Sequence, residues 1–248
     1  MTQNQAVIQA IESLGGIAPL AQIYQAALSL DGCSWGTKTP HASIRRIVRH
    51  TDGIFVVRKG LYALEAYRAE LAKDGIVEIT AANADSSETK EFNHSYYQGL
   101  LVKVGNIKHF NTFVPQQDKN RRFLKEGTLG ELRTLEEIPL YSYKELVQRS
   151  STIDVIWFND RKMPHSFFEV EHSTDIQNSL LKFCDLQDFN SRMVIVADDV
   201  RRKEYDKKLG ETAFKELKDN NRVDFLSYDD LGKQYERLVE DSYRQFIL

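Results

Sequence analysis

The stretch from Ile153 to Phe183, IDVIWFNDRKMPHSFFEVEHSTDIQNSLLKF, decides how the second half of the chain folds. It holds two runs of β-branched and aromatic residues, Ile153 to Phe158 and Ser166 to His172, joined by Asn159 to Pro164. Such runs around a turn-prone connector predict an antiparallel hairpin. Thr174 is the expected N-cap of a following helix that carries Ile176, Leu180, Leu181 and Phe183. Side chains alternate along a strand, so Glu169 and Glu171 share one face with Phe167, while Phe168, Val170 and His172 take the other. If Asp154 lies opposite, three carboxylates converge at one end of a sheet. Three such charges raise one another's pKa unless a cation joins them. All-oxygen ligands suit a hard ion, Mg²⁺ with Mn²⁺ as its substitute. The bland alternatives are a salt-bridge network or a solvated strand end. They fit less well, because unpaired carboxylates on a mostly buried strand are costly.

Working outward, Tyr97, Leu100, Leu101 and Val104 predict a helix before this hairpin, and Tyr143 to Gln148 another. Met193 to Ala197 reads as a buried strand. A charged helix from about 201 to 218, a strand at Val223 to Leu226 and a last helix from Tyr228 follow. The order α-β-β-α-β-α-β-α predicts an α/β class domain with a mixed sheet. Tyr67 to Ile79 reads as a helix and a short strand, and Ala81 to Lys90 as a flexible connector. The expected division is therefore 1–70, a linker over 71–92, and 93–248.

Asp154-x14-Glu169-x-Glu171 on successive strands, followed at once by a helix, resembles the PD-(D/E)xK nuclease superfamily over about residues 94–248. The resemblance implies a restriction-endonuclease-like core with Asp154 and Glu169 as metal ligands and the Val170 carbonyl near the metal. The chain departs from the motif at Glu171, where its usual lysine would stand. Some restriction enzymes of the superfamily use such an E-x-E site, with the second acid as base or second-metal ligand. In others the lysine migrates to the following helix, which makes Lys182 a candidate; otherwise it is a plain surface lysine. Glu145 would be an extra ligand or a helix-surface acid, and Gln177 would orient water or phosphate. Arg121 and Arg122 either grip phosphate or solvate a loop, and His172 reads as structural.

The first 70 residues read differently. Ala6, Val7, Ile8 and Ile11 give one apolar helix face, ended by Gly15 and Gly16. Leu20, Ile23, Tyr24, Ala27 and Leu28 give a second, with Pro19 in its first turn. Thr39 and Pro40 open a third, buried through Ile44, Ile47 and Val48. Two short apolar strands then flank Lys59 and Gly60. Three helices and a hairpin are the winged-helix order, in which the third helix enters the major groove of DNA. The third helix and its surroundings carry Lys38, His41, Ser43, Arg45, Arg46 and Arg49, and the hairpin carries Arg58 and Lys59. Arginines suit phosphate contacts, while Arg, Ser and His suit base edges. The bland alternative is a helical protein-interaction domain with a solvated basic face. AVIQAIESLGG, WGTKTPHASIRRIV and GIFVVRKGLYAL together resemble the HARE-HTH family of winged helices over residues 5–65. That family occurs beside restriction-type nucleases, and the resemblance implies sensing of DNA modification.

Charge distribution agrees with this division of labour. The chain of 248 residues carries a net charge of −3, yet residues 1–70 carry seven Lys/Arg against five Asp/Glu. Five of those bases fall between Lys38 and Arg58, with Asp52 as the one acid among them. A local basic footprint thus sits within an acidic protein, and double-stranded DNA is the expected partner. Two cysteines, Cys33 and Cys184, exclude a disulfide framework and a four-cysteine zinc site. No apolar run approaches the roughly 20 residues of a membrane span, and the N-terminus lacks the basic and apolar regions of a secretory signal. The chain reads as soluble and cytoplasmic. No phosphate-binding loop, nucleophile elbow or His-Glu-x-x-His helix is present.

The expected function is therefore a metal-dependent restriction-type endonuclease on duplex DNA. A homodimer is the simplest way to cut both strands. The alternative is a non-catalytic DNA-binding regulator with a degenerate nuclease-like domain.

Overall fold

A computed structural model describes residues 1–80, 82–83, 86–172 and 175–245. The backbone contacts divide the chain into two compact units. One comprises Met1–Phe92, Leu124–Glu126 and Gly232–Leu248; the other comprises Asn93–Phe123 and Gly127–Leu231.

In the first unit, α1 (Gln3–Ser13) is capped by a reciprocal pair of bonds between Thr2 and Gln5. The helix ends as expected at Gly15 and Gly16, whose φ values are +84° and +82°. There follow β1 (Ile17–Pro19), α2 (Leu20–Leu28), α3 (Pro40–His50), β2 (Ile54–Arg58), β3 (Leu61–Leu64) and α4 (Arg68–Lys73). The strands form an antiparallel sheet in the order β1-β3-β2, with Ile17 opposite Ala63. Val7, Ile11, Ile23, Tyr24, Ile44 and Val48 pack into one core with Tyr62 and Leu64. The sequence reading lacked β1, because three residues hold too few alternations to show a period. Pro19 accordingly ends that strand and is the N-cap of α2 rather than a first-turn residue. The short strand expected before Ile79 does not form: residues 76–80 have no regular structure after Gly75, whose φ is +74°.

Gly16 is needed twice over, by its φ and by the Tyr67 ring, which would lie 2.2 Å from an added Cβ. Gly16→Ala is expected to cost about 2 kcal/mol in urea unfolding. A loss below about 0.5 kcal/mol would mean that the ring moves aside freely.

The second unit begins within α5 (Ser87–Ile107), whose first turn takes up the end of the expected connector. Next come β4 (Asn111–Phe113), the small hairpin of β5 (Arg122–Phe123) and β6 (Gly127–Thr128), α6 (Leu129–Leu132) and α7 (Lys144–Ser150). The hairpin read from the sequence is β7 (Val155–Phe158) and β8 (Pro164–Glu171), paired antiparallel with Val155 opposite Phe168. The Asn159 side chain closes its turn by accepting from the backbone of Arg161 and Met163 at 3.0 and 3.1 Å. Then follow α8 (Ile176–Leu186), β9 (Arg192–Ala197), α9 (Arg202–Leu209), α10 (Lys215–Asp219), β10 (Val223–Ser227) and α11 (Tyr228–Gln245), which runs on into the first unit. The expected charged helix is thus two helices, interrupted at Gly210. Thr174 lies outside the described residues; Asp175 caps α8 by accepting from the Gln177 backbone N–H at 3.0 Å.

The five strands are ordered β10-β9-β8-β7-β4. β8 pairs antiparallel with β7 and parallel with β9, so the sheet is mixed, as expected. Phe167 and Ile195 join Ile176, Leu180 and Phe183 of α8 in one core. On another side Trp157 packs at 4.5 Å from the Phe168 ring and donates from Nε1 to the Leu101 carbonyl of α5 at 3.1 Å. Helix packing on the sheet buries β8 along almost its whole length, including its two glutamates.

Candidate active site

The β7–β8 register brings the three expected carboxylates together. Asp154 sits one residue before β7, beside the Glu169 end of β8. Its Oδ2 accepts from the Val170 backbone N–H at 2.7 Å. Asp154, Glu169 and Glu171 are only 8%, 3% and 4% exposed. Burial at that level leaves ionised acids dependent on local partners. Lys182, in the second turn of α8, supplies one: its Nζ lies 2.9 and 2.8 Å from the two Glu169 oxygens and 3.0 Å from the Thr152 carbonyl. Ser179, three residues earlier on the same helix face, has its hydroxyl 3.0 Å from Glu169 Oε2 and against Glu171 Oε1. Arg201 reaches to 3.9 Å of Glu171 Oε2.

Burial pushes the Glu169 carboxyl well above the usual carboxylate range. The Asp154 charge pushes the same way, Lys182 opposes it, and Glu171 adds to the rise. A hydroxyl has one proton to give, so Ser179 lying between two carboxylates also favours a proton or a cation in the cluster. These donors are hard oxygens under mutual repulsion, which is the chemistry a divalent cation relieves. Asp154 and Glu169 therefore fit a metal of the Mg²⁺ class, with Glu171 beside them.

Four further residues complete the site, none of which was expected from sequence. Ser179 and Arg201 are two of them. His94 of α5 places Nε2 at 3.5 Å from Asp154 Oδ1. Burial disfavours the charged imidazole, but Asp154 and, more weakly, Asp118 outweigh it and hold His94 above its ordinary value. Asp118, in the segment after β4, takes Arg121 Nε at 2.8 Å and Gln98 Nε2 at 3.0 Å. The one sequence signal for any of these is the three-residue spacing of Ser179 and Lys182. His94 and Asp118 are 24 positions apart with no periodicity linking them.

Other expected residues lie elsewhere. Glu145 is exposed in the first turn of α7 and is absent from the contacts of the three carboxylates among the described residues. Gln177 accepts through Oε1 from Lys208 Nζ at 2.8 Å, which ties it to α9. Arg121 is the exception, bound to Asp118 at the edge of the site, whereas Arg122 is exposed in β5. His172 stacks toward Tyr228 with ring centroids 6.4 Å apart and approaches Asn93 at 3.3 Å, in keeping with a structural role.

In the first unit, α3 exposes Arg46 and Arg49, and Lys38 and Lys59 are also exposed; Ser43 is half-buried. Arg45 instead pairs with Glu236 and Glu240 of α11 at 3.3 and 3.2 Å and lies over the Tyr24 ring. His41 meets the same ring edge-on at 4.7 Å. Arg58 is a correction: at 8% exposure its guanidinium lies 4.5 Å from the Phe92 ring centre, a buried position unsuited to backbone phosphate. A bulge between Val56 and Arg58 shifts the register there. A cavity of about 530 Å³ opens at the start of α3, lined by Trp35, Lys38, His41, Arg45 and Glu240 among others. No helix among the described residues is long and apolar enough to cross a membrane.

A relative from Neisseria meningitidis serogroup C, "Type II restriction enzyme NmeDI", is 32% identical over 133 residues, covering 50% of this chain. The match spans 38% of that relative's own length. No solved structure matches the chain. Residues 76–246, which include the carboxylate cluster and both helices that supply its partners, match the family described as the Type II restriction enzyme NmeDI C-terminal domain, and the chain belongs to that family.

Proposed function

We propose that the protein is a metal-dependent, restriction-type endonuclease of the PD-(D/E)xK kind that hydrolyses phosphodiester bonds of duplex DNA. The observation that carries this reading is the buried Asp154–Glu169–Glu171 cluster, with Lys182 Nζ 2.8 Å from Glu169, inside the segment shared with the restriction-enzyme family. Asp154 and Glu169 would hold the divalent cation, which when bound polarises the scissile phosphate and lowers the pKa of water. The Val170 N–H fixes the Asp154 carboxylate through its 2.7 Å bond, and Lys182 orients Glu169 while bringing a positive charge to the place where phosphate charge builds up. The migrated-lysine variant of the motif thus accounts for a glutamate at 171. Glu171, whose Oε1 meets the Ser179 hydroxyl, would take the proton of the attacking water through its other oxygen.

The first unit would act as a winged helix, with α3 in the major groove and the β2–β3 hairpin near the backbone. The exposed Arg46 and Arg49 are its phosphate contacts, with Lys38 and Lys59 at the flanks. Arg45 is assigned away from phosphate, since two glutamates already neutralise it. Arg46→Ala/Arg49→Ala is expected to weaken duplex binding and to flatten the slope of log K against log salt by about 1.8, the value for two lost phosphate contacts. Filter binding at several salt concentrations reads both, and an unchanged slope would remove α3 from the DNA interface.

The direct test is incubation of methylated and unmodified plasmid with Mg²⁺, with Mn²⁺ or with EDTA. Conversion of supercoiled DNA to nicked and linear forms only with metal supports the nuclease, and a difference between the two plasmids supports modification sensing. Binding to duplex DNA without conversion of either plasmid would replace the proposal by the non-catalytic regulator.

A further inference from the structure

We infer that His94, Asp118 and Asp154 form a second divalent-cation site, joined through Asp154 to the Glu169 cluster and selective for a nitrogen-tolerant ion such as Mn²⁺ or Co²⁺ over Mg²⁺. The inference rests on the nuclease reading for what the ion is used for, but not for its binding.

The three side chains come from separate elements, α5, the segment after β4 and the start of β7. One donor atom from each lies within 4.8 Å of the other two. Ligands bound at about 2.1 Å sit roughly 3 Å apart around an octahedral ion, so modest inward adjustment completes the site. Asp118 and Asp154 are buried, at 3% and 8% exposure. Arg121 neutralises one of the two negative charges, which leaves the cluster anionic when His94 is neutral.

Gln98 supplies independent support. Its side chain is fully buried, and Nε2 donates to both Asp118 Oδ2 at 3.0 Å and the Asp154 carbonyl at 3.2 Å. Two pure acceptors fix which end of the amide is the nitrogen. Its Oε1 is then the end left buried without a hydrogen-bond partner among the described residues. An unsatisfied buried acceptor on a side chain that is itself hydrogen-bonded to Asp118 and to the Asp154 main chain is accounted for by a cation, or by a water on that cation. An ordinary His94–Asp154 ion pair gives Oε1 nothing. The donor set decides the kind of ion: imidazole with carboxylates suits first-row transition ions, whereas Mg²⁺ prefers oxygen alone. Asp154 would then stand at both sites, and a second ion there would supply further stabilisation of charge on the reacting oxygens.

Mn²⁺ titration of the full-length protein, followed by electron paramagnetic resonance with spin-echo detection of nitrogen coupling, tests this. The wild type is expected to show imidazole-nitrogen coupling to bound Mn²⁺. In His94→Gln that coupling should vanish and one Mn²⁺ should weaken by on the order of 10- to 100-fold. Asp118→Asn should weaken the same ion, and Glu169→Gln should retain the nitrogen coupling. Absence of nitrogen coupling in the wild type, or its persistence in His94→Gln, would overturn the second site whatever the cleavage assay shows. The wild-type measurement decides even if a variant fails to fold. Nitrogen coupling without any DNA cleavage would keep the site and sink the nuclease reading instead.

Discussion

Replacing Asp154 and Glu169 together by alanine is expected to abolish metal-dependent plasmid cleavage, by at least on the order of 10³-fold, while leaving duplex binding within about threefold. On the proposed reading the loss is large because both residues would act where charge develops on the phosphate, in a setting almost closed to water. The four lost carboxylate oxygens have no substitutes, since Glu171 is engaged by Ser179 and approached by Arg201. Binding is expected to survive because the proposed DNA contacts, Arg46 and Arg49, belong to the other compact unit. The double variant also removes buried repulsion, which offsets part of the cost of the small cavities left and of the Val170 N–H and Lys182 donors stripped of their acceptors. Cleavage at the wild-type rate would remove both carboxylates from the chemistry. Loss of cleavage together with loss of folding would be resolved by Asp154→Asn/Glu169→Gln, which keeps the shapes and removes the charges.

The second large effect concerns stability. The folded protein holds the Glu169 proton more tightly than the unfolded chain does, because burial and the Asp154 charge raise its pKa. The unfolded state therefore binds fewer protons over this range, and the slope of stability against pH is negative. The contribution of this group is fully present below the unfolded carboxylate value and is lost as pH rises through the folded one. In EDTA, denaturation should accordingly occur at lower temperature at pH 8 than at pH 6, and Mg²⁺ should restore more stability at pH 8. His94 and Glu236, both also raised, add slopes of the same sign. Glu169→Gln isolates the share of Glu169 by flattening the curve. Lys182→Met should do the reverse and cost about 3 kcal/mol at pH 8 in EDTA, since it strips a buried carboxylate of its cation, with most of the loss recovered at pH 6. A Lys182→Met penalty independent of pH would mean that the lysine acts through packing alone.

How much of this could be read from residues alone follows the range of the interactions. The apolar runs at 153–158 and 166–172 specify their own pairing, because strand period and turn chemistry act over a few residues; the β7–β8 hairpin and the shared face of Glu169 and Glu171 followed directly. Helix periodicity likewise located α1, α2, α3, α5 and α8. Weak periods were the failures. β1, β4, β5 and β6 have two or three residues each and exist because a neighbouring strand offers them hydrogen bonds. The direction of a surface charge was equally beyond reach: Arg45 and Arg58 look like Arg46 and Arg49 until Glu236, Glu240 and Phe92 arrive from remote parts of the chain.

The same division runs through the site. The sequence by itself determined its carboxylates, since Asp154, Glu169 and Glu171 are brought together by one local hairpin. Only the tertiary structure decided what surrounds them. Packing of α8 on the sheet turned Lys182 and Ser179 inward, and packing of α5 brought His94 and Gln98 to Asp154 and Asp118. Those partners are separated by tens of residues, where chain connectivity imposes no period and only the burial of two helix faces against one sheet fixes the distances.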